Sequence, residues 1–248
     1  MRSRRRPSLG EPPLLGTVAR ASSNDAMAST FQQLADWKTQ SGVPAVVRTM
    51  SFIQQQYPSA SDNADRVRQF IRDCYSRWGT KWVLLGGDTD IIPVRQAYTS
   101  FYGTELIACD MYYSCLDGNW NADGDSLYGE GYTSSDDPGD NCDLLPEVYV
   151  GRAPVLTVAD AQVFVNKTFQ YERTPVGNYE DRWIFFAEVL FPQGWQQGQG
   201  VTLDGAELTE DLLPLTDQLP GVHVGRLYEN YTDPRWRPGS LPESKKGV

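Results

Sequence analysis

A chain of 248 residues, 40% of them apolar and 12% aromatic, is long enough to bury the core of one large α/β domain or two small ones, so disorder along its whole length is excluded. No apolar run approaches the roughly 20 residues that a membrane-crossing helix needs. With 22 Lys and Arg against 32 Asp and Glu, the net charge of −10 opposes a nucleic-acid partner, because such affinity comes largely from neutralising phosphates.

Residues 1–24 read as a disordered basic leader. The opening is rich in Arg, lacks the apolar stretch of a secretory signal, and carries Pro and Gly that oppose a helix. From Asn24 to Gln40, Met27, Phe31 and Leu34 recur at i, i+4 and i+7, the stripe of an amphipathic helix ended by Gly42. Val43–Met50 reads as a buried strand. In the following stretch Val67, Phe70, Ile71, Cys74, Tyr75 and Trp78 share one helical face, with Gly79 just past the end. Cys74 belongs to that apolar face as a core residue.

Lys81–Gly87 is a short apolar run closing in glycines and Asp88. An irregular stretch precedes Pro146–Arg152, the next strand. A helix follows, with Thr157 and Asp160 in capping-box spacing. RWIFFAEVL and VHVGRLYEN read as strands, with a helix between them in VTLDGAELTEDLL. Strands that are apolar throughout, alternating with helices, indicate α/β architecture: a parallel sheet covered on both faces, here with an acidic loop insertion. Ligands of such sheets bind beyond the carboxyl ends of the strands. Asp88 ends its strand there, although it also suits a turn aspartate bonding its own backbone. Residues 232–248, with three prolines and no apolar period, read as an unstructured tail, leaving 25–231 as the folded portion.

Between Arg95 and Arg152 there is no Lys or Arg but 11 Asp and Glu, over a third of the chain's acid. Carboxylates brought to about 4 Å repel by about 4 kcal/mol per pair at an effective dielectric near 20, so a folded loop here needs splaying, protonation or a cation. In NWNADGDSLYGE, Asn119, Asn121, Asp123, Asp125 and Glu130 stand at positions 1, 3, 5, 7 and 12 of a calcium loop, with Gly124 at the sharp turn of position 6. Asn119 replaces the usual Asp and removes one charge, which Asp117 just upstream could restore. Ser126 at position 8 and the lack of a clear preceding helix point to the ligand geometry without a helix–loop–helix hand. The expected metal is Ca2+, held by Asp117, Asn119, Asn121, Asp123, Asp125 and Glu130; a solvated acidic loop is the alternative.

Cys74, Cys109, Cys115 and Cys142 form no CxxC pair, and His223 is the only histidine, so no zinc site is indicated. A disulfide between two of Cys109, Cys115 and Cys142 would staple the insertion in an oxidising compartment; three free thiols are equally consistent, and the connectivity is open.

The ordered series WKTQSGVPAVVRTM, DRVRQFIRDCYSRWGTKWVLLGGDTDIIP, CDMYYSCLDGNWNADGDSLYGE and LPEVYVGRAPVLTVADAQVFVNKTFQYER resembles the first half of the catalytic domain of gingipain-type cysteine peptidases, family C25. The similarity spans about four-fifths of the chain, from Phe31 to Tyr231. It implies a caspase-like fold, cysteine-type endopeptidase chemistry on protein or peptide substrates, secretion, and calcium-supported stability. In that family the catalytic histidine, in a His-Gly motif, and the nucleophilic cysteine follow the strand matched by VHVGRLYEN. Here His223 precedes Val224 and all four cysteines precede the histidine, so no catalytic residue is assigned. His223 reads as an ordinary strand residue. The resemblance therefore implies a domain that is incomplete in this chain, stopping before its dyad and inactive alone. Asp204 is a loose match to the acidic residue that arginine-specific members use for substrate, and it suits a helix cap as well. A calcium-binding, non-enzymatic module for peptides or proteins is the other function these residues allow.

Overall fold

The computed structural model describes residues 18–22, 25–100, 103, 105–131, 139–140, 142–175, 177–187 and 205–228. A first compact unit ends at Glu172. It contains strands β1 (Val18–Ser22), β2 (Ala45–Thr49), β3 (Trp82–Gly86), β4 (Arg95–Thr99), β5 (Glu105–Cys109) and β6 (Tyr149–Ala153). Its helices are α1 (Asp25–Gln40), α2 (Met50–Gln56), α3 (Asn63–Trp78), α4 (Met111–Ser114) and most of α5 (Val158–Arg173).

The main sheet is parallel, in the order β2-β1-β3-β6. Val18 pairs with both Ala45 and Trp82, and Ser22 with Thr49 and Gly86. The expectation that residues 1–24 form an unstructured leader is thus corrected at Val18–Ser22, which is an interior strand. VARAS contains a single β-branched residue and no apolar run; what holds it is backbone pairing on both sides, which neither propensity nor periodicity reveals. Residues 1–17 lie outside the described portion.

Helices cover both faces of the sheet, as the apolar runs imply. Along β3, Val83 and Leu85 pack into the cluster built by Ile53 of α2 and by Val67, Phe70, Ile71 and Cys74 of α3. Leu84 turns the other way, towards Met27, Phe31 and Leu34 of α1 and Ala161 and Val165 of α5. Asp62 caps α3 by accepting from the Asp65 amide (2.7 Å), and Gly79 ends it at φ 66°. The predicted capping box of α5 forms, with the Asp160 amide donating to Thr157 Oγ1 (3.2 Å) and the Thr157 amide to Asp160 (3.0 Å). The stretch expected to be irregular holds the antiparallel hairpin β4–β5 and the four-residue helix α4.

A second compact unit starts at Arg173. It holds β7 (Arg182–Ala187), α6 (Gly205–Thr216) and β8 (His223–Tyr228). Among the described residues β7 and β8 pair in parallel with each other, Arg182 opposite His223. Ala206 and Tyr228 are buried against Phe185 and Ala187, and the Tyr228 hydroxyl donates to Glu210 (2.7 Å). The expected tail at 232–248 and Asp204 lie outside the described residues.

Candidate metal centre

The acidic insertion carries no cation of its own, and arginines from the flanking elements fix it. Arg68 of α3 is buried and donates to three carbonyls at the loop's entrance: Tyr112 (3.0 Å), Cys115 (2.9 Å) and Asp117 (2.9 Å). Arg72 donates to Leu116 O (2.9 Å). Trp120 is buried edge-on to Tyr112, with ring centroids 5.5 Å apart. These contacts pin both sides of Asn119, where the acidic loop motif begins.

Within the loop, three short polar side chains take the amide two residues on. Asn119 Oδ1 accepts from Asn121 N (3.1 Å), Asp123 Oδ1 from Asp125 N (3.1 Å) and Asp125 Oδ1 from Leu127 N (2.6 Å). Gly124 sits at φ 81°, the left-handed turn expected at position 6. The turns draw one carboxylate oxygen each from Asp123, Asp125 and Glu130 to within 4.8 Å of one another. Glu130 is buried, the other two exposed. Asn121 Nδ2 donates to Asp125 O (2.8 Å), while its Oδ1 is buried without a hydrogen-bond partner. Three carboxylates and an orphaned amide oxygen fit a hard, oxygen-seeking cation, which would relieve both the mutual repulsion and the unsatisfied acceptor.

The predicted residues do not all converge. Asp117 lies instead with Cys115 and Asp143, its carboxylate within 4.8 Å of their ligand atoms. Ahead of the loop, α4 is four residues long and ends at Ser114.

Sequence reasoning passed over Asp140. Its carboxylate accepts from the Gly129 amide (2.6 Å), the Glu130 amide (3.2 Å) and the Ala122 amide, and its own amide donates to Glu130 O (3.0 Å). Asp140 thus holds the two ends of the ligand arc together without facing the triad. An acid ten residues beyond the loop motif has no positional signature, so only the fold reveals it.

Cys74, Cys115 and Cys142 are not activated as catalytic nucleophiles. Burial pushes Cys74 and Cys115 up, and Cys142 up to about 11, whereas a reactive thiol needs its pKa lowered by nearby cations. Cys115 Sγ lies 3.7 Å from Asp143 Oδ1. All four cysteines are unbridged. His223 is exposed at the start of β8, in keeping with an ordinary strand residue.

Passing from β2 to β3, the chain crosses β1, so the sheet's switch point lies between the carboxyl ends of β1 and β3, beside Gly86 and Asp88. Asp88 accepts from the next amide, Thr89 N (2.7 Å), as a turn aspartate does. Arg152 seals this edge, pairing with both oxygens of Asp110 (2.7 Å each) and donating to Gly87 O and Ile92 O (2.8 Å each). A cavity of about 390 Å³ opens near the opposite edge, at the amino end of β3, lined by Leu34, Val43, Trp82, Leu84 and Phe164 among others.

The sequence model of peptidase family C25 matches residues 21–246. The chain belongs to peptidase family C25. Its fold is shared with two solved structures: the complex of the pro- and mature domains of RgpB from Porphyromonas gingivalis (18% identity, TM-score 0.58, 88% of this chain and 43% of that one) and the Arg-specific cysteine proteinase gingipain R (18% identity, TM-score 0.58, 91% and 45%). The chain therefore spans less than half the length of these two chains. No curated protein sequence matches it.

Proposed function

We propose that this chain supplies the scaffold and a calcium-holding loop of an extracellular cysteine-type endopeptidase acting on proteins or peptides, while the attacking cysteine and its histidine are none of its own Cys74, Cys109, Cys115, Cys142 and His223. Membership of family C25 supports the chemistry. One observation carries the calcium assignment: the carboxylates of Asp123, Asp125 and Glu130 converge in the loop that also holds the buried, partnerless Oδ1 of Asn121. These four, with Asn119 at the loop's first position, would hold the ion. Calcium there supplies charge neutralisation and cross-links the loop; it takes no part in bond cleavage. Asn119 lowers the negative charge of the donor set and so favours the weaker binding that suffices where calcium is millimolar.

Calorimetric titration tests the metal. Calcium uptake by the chain, abolished in Asp123→Ala, is expected; no heat at millimolar calcium overturns the assignment. Casein hydrolysis by the purified chain alone, with a thiol-directed inhibitor bound to any of its four cysteines, overturns the account of the missing nucleophile. A second reading, a calcium-loaded module that binds peptides without cleaving them, is favoured by the raised thiol pKa values. A peptide that binds the chain and is cleaved by no longer form of the protein would establish it.

A further inference from the structure

The calcium loop leaves and re-enters the fold through two neighbouring segments. Ser114–Leu116 closes α4, and Cys142–Glu147 leads towards β6. The segments are laced together: the Glu147 amide donates to Ser114 O (3.0 Å), the Leu116 amide donates to the Glu147 carboxylate, and Cys115 Sγ reaches Asp143 Oδ1 (3.7 Å). Cys115 and Cys142 also pack into the same apolar cluster. Cys115 is fully buried there, while Cys142 is half-exposed. One partly accessible and one buried thiol thus sit on two segments of backbone held side by side.

We propose that Cys115 and Cys142 form a reversible disulfide that staples the neck of the loop, enclosing all of Asn119–Glu130. The bond forms by thiol–disulfide exchange with a small disulfide such as oxidised glutathione. The Cys142 thiolate attacks one glutathione sulfur, breaking the glutathione S–S bond and expelling one glutathione thiolate. The Cys115 thiolate then attacks the Cys142 sulfur of the mixed disulfide and expels the second. The two protons lost by the protein thiols end on the two glutathiones, so two cysteines are oxidised as one glutathione disulfide is reduced to two thiols. An oxidising compartment would keep the staple closed. The proposal stands whether or not the loop binds calcium.

The test uses the full chain, reduced, freed of reductant, exposed to oxidised glutathione, then alkylated under denaturing conditions and digested without reduction. A peptide pair joining Cys115 to Cys142, with Cys74 and Cys109 alkylated, is the expected result. Cys109→Ser should retain the linked pair and Cys142→Ser should lose it. The oxidised chain should also unfold at a higher temperature than the reduced one, with chelator present in both samples. Separate alkylation or glutathionylation of Cys115 and Cys142, a bond from either to Cys109, or linkage only between molecules overturns the proposal. Equal unfolding temperatures overturn its role as a staple. The mapping is done on the unmutated chain, so a variant that fails to fold does not blunt it.

Discussion

Arg95, at the start of the hairpin, grips Asp62, the residue that caps α3, with two hydrogen bonds of 2.9 and 3.0 Å. The guanidinium carbon lies 4.5 and 4.0 Å from the ring centroids of Tyr112 and Tyr128, whose planes stand at 89° to each other. One carboxylate thus caps a helix and neutralises a buried cation. Burial alone would raise the Asp62 pKa, but the bonds from Arg95 outweigh it and hold the carboxyl below its usual range. A depressed folded-state pKa stabilises the protein above the unfolded value near 4, and that contribution is lost as pH falls through the folded value.

Asp62→Asn should therefore cost about 2 kcal/mol at neutral pH, the combined scale of a weakened cap and a buried charge losing its counter-ion on a half-exposed partner. The penalty should shrink below about pH 4, where the parent also loses the charge. Urea unfolding at pH 7 and pH 3 checks both. An equal penalty at the two pH values would show that the carboxylate's charge contributes nothing.

Arg152 gives a sharper case, because all its donors that bond are spent on one edge of the sheet. It joins β6 to Asp110 ahead of α4 and to the turn carrying Asp88. Arg152→Met keeps the stem but strands the Asp110 carboxylate and two carbonyls. A loss of about 3 kcal/mol is expected on the scale of breaking a largely buried pair, and Asp110→Asn should cost less because the carbonyl bonds survive. A double-mutant cycle by chemical denaturation measures the coupling; strict additivity would refute it.

Asp140 should matter for calcium without being a ligand. Asp140→Asn leaves a single neutral oxygen where two carboxylate oxygens accept from three amides, one from Ala122 and the other from Gly129 and Glu130, and sets an NH2 donor against the remaining amide. Calcium affinity should fall about tenfold, a loss of about 1.4 kcal/mol of calcium-dependent stabilisation at saturation. The number of ions bound should stay unchanged, in contrast to Asp123→Ala. Titration calorimetry separates the two, and unaltered affinity in Asp140→Asn would remove it from the site.

What the sequence disclosed and what it hid follow from the range of the interactions. Helix α3 was legible because its apolar face and its terminator Gly79 lie within one stretch. The convergence of Asp123, Asp125 and Glu130 follows from equally local turns around Gly124. Strand β1 was hidden because its stability comes from partners 27 and 64 residues away, Val18 opposite Ala45 and Trp82. The hairpin was hidden because β5 exposes Leu106 and Ile107 in succession and so shows no alternation. Asp117 was misassigned by proximity in sequence: the chain turns between it and Asn119, with Gly118 at φ 64°, and aims its carboxylate at Cys115 and Asp143.

Gly86 ends β3 at the switch point, where the carboxyl edge of the sheet meets α1. A Cβ built there would lie 2.7 and 2.9 Å from the ring carbons of Phe31. Phe31 is itself 1% exposed and tilted against Phe164 at 6.4 Å, so its ring has little room to retreat. The backbone conformation is ordinary, which leaves the clash as the whole obstacle. Gly86→Ala should destabilise the chain by about 2 kcal/mol, the usual scale of one carbon forced into a packed core. Phe31→Leu should also destabilise by opening space. Because the added methyl occupies part of that space, the double variant should be more stable than the sum of the two losses predicts, by about 1 kcal/mol. Denaturant midpoints of the four proteins decide it: simple additivity would mean that the sheet, not the ring, yields to the extra carbon.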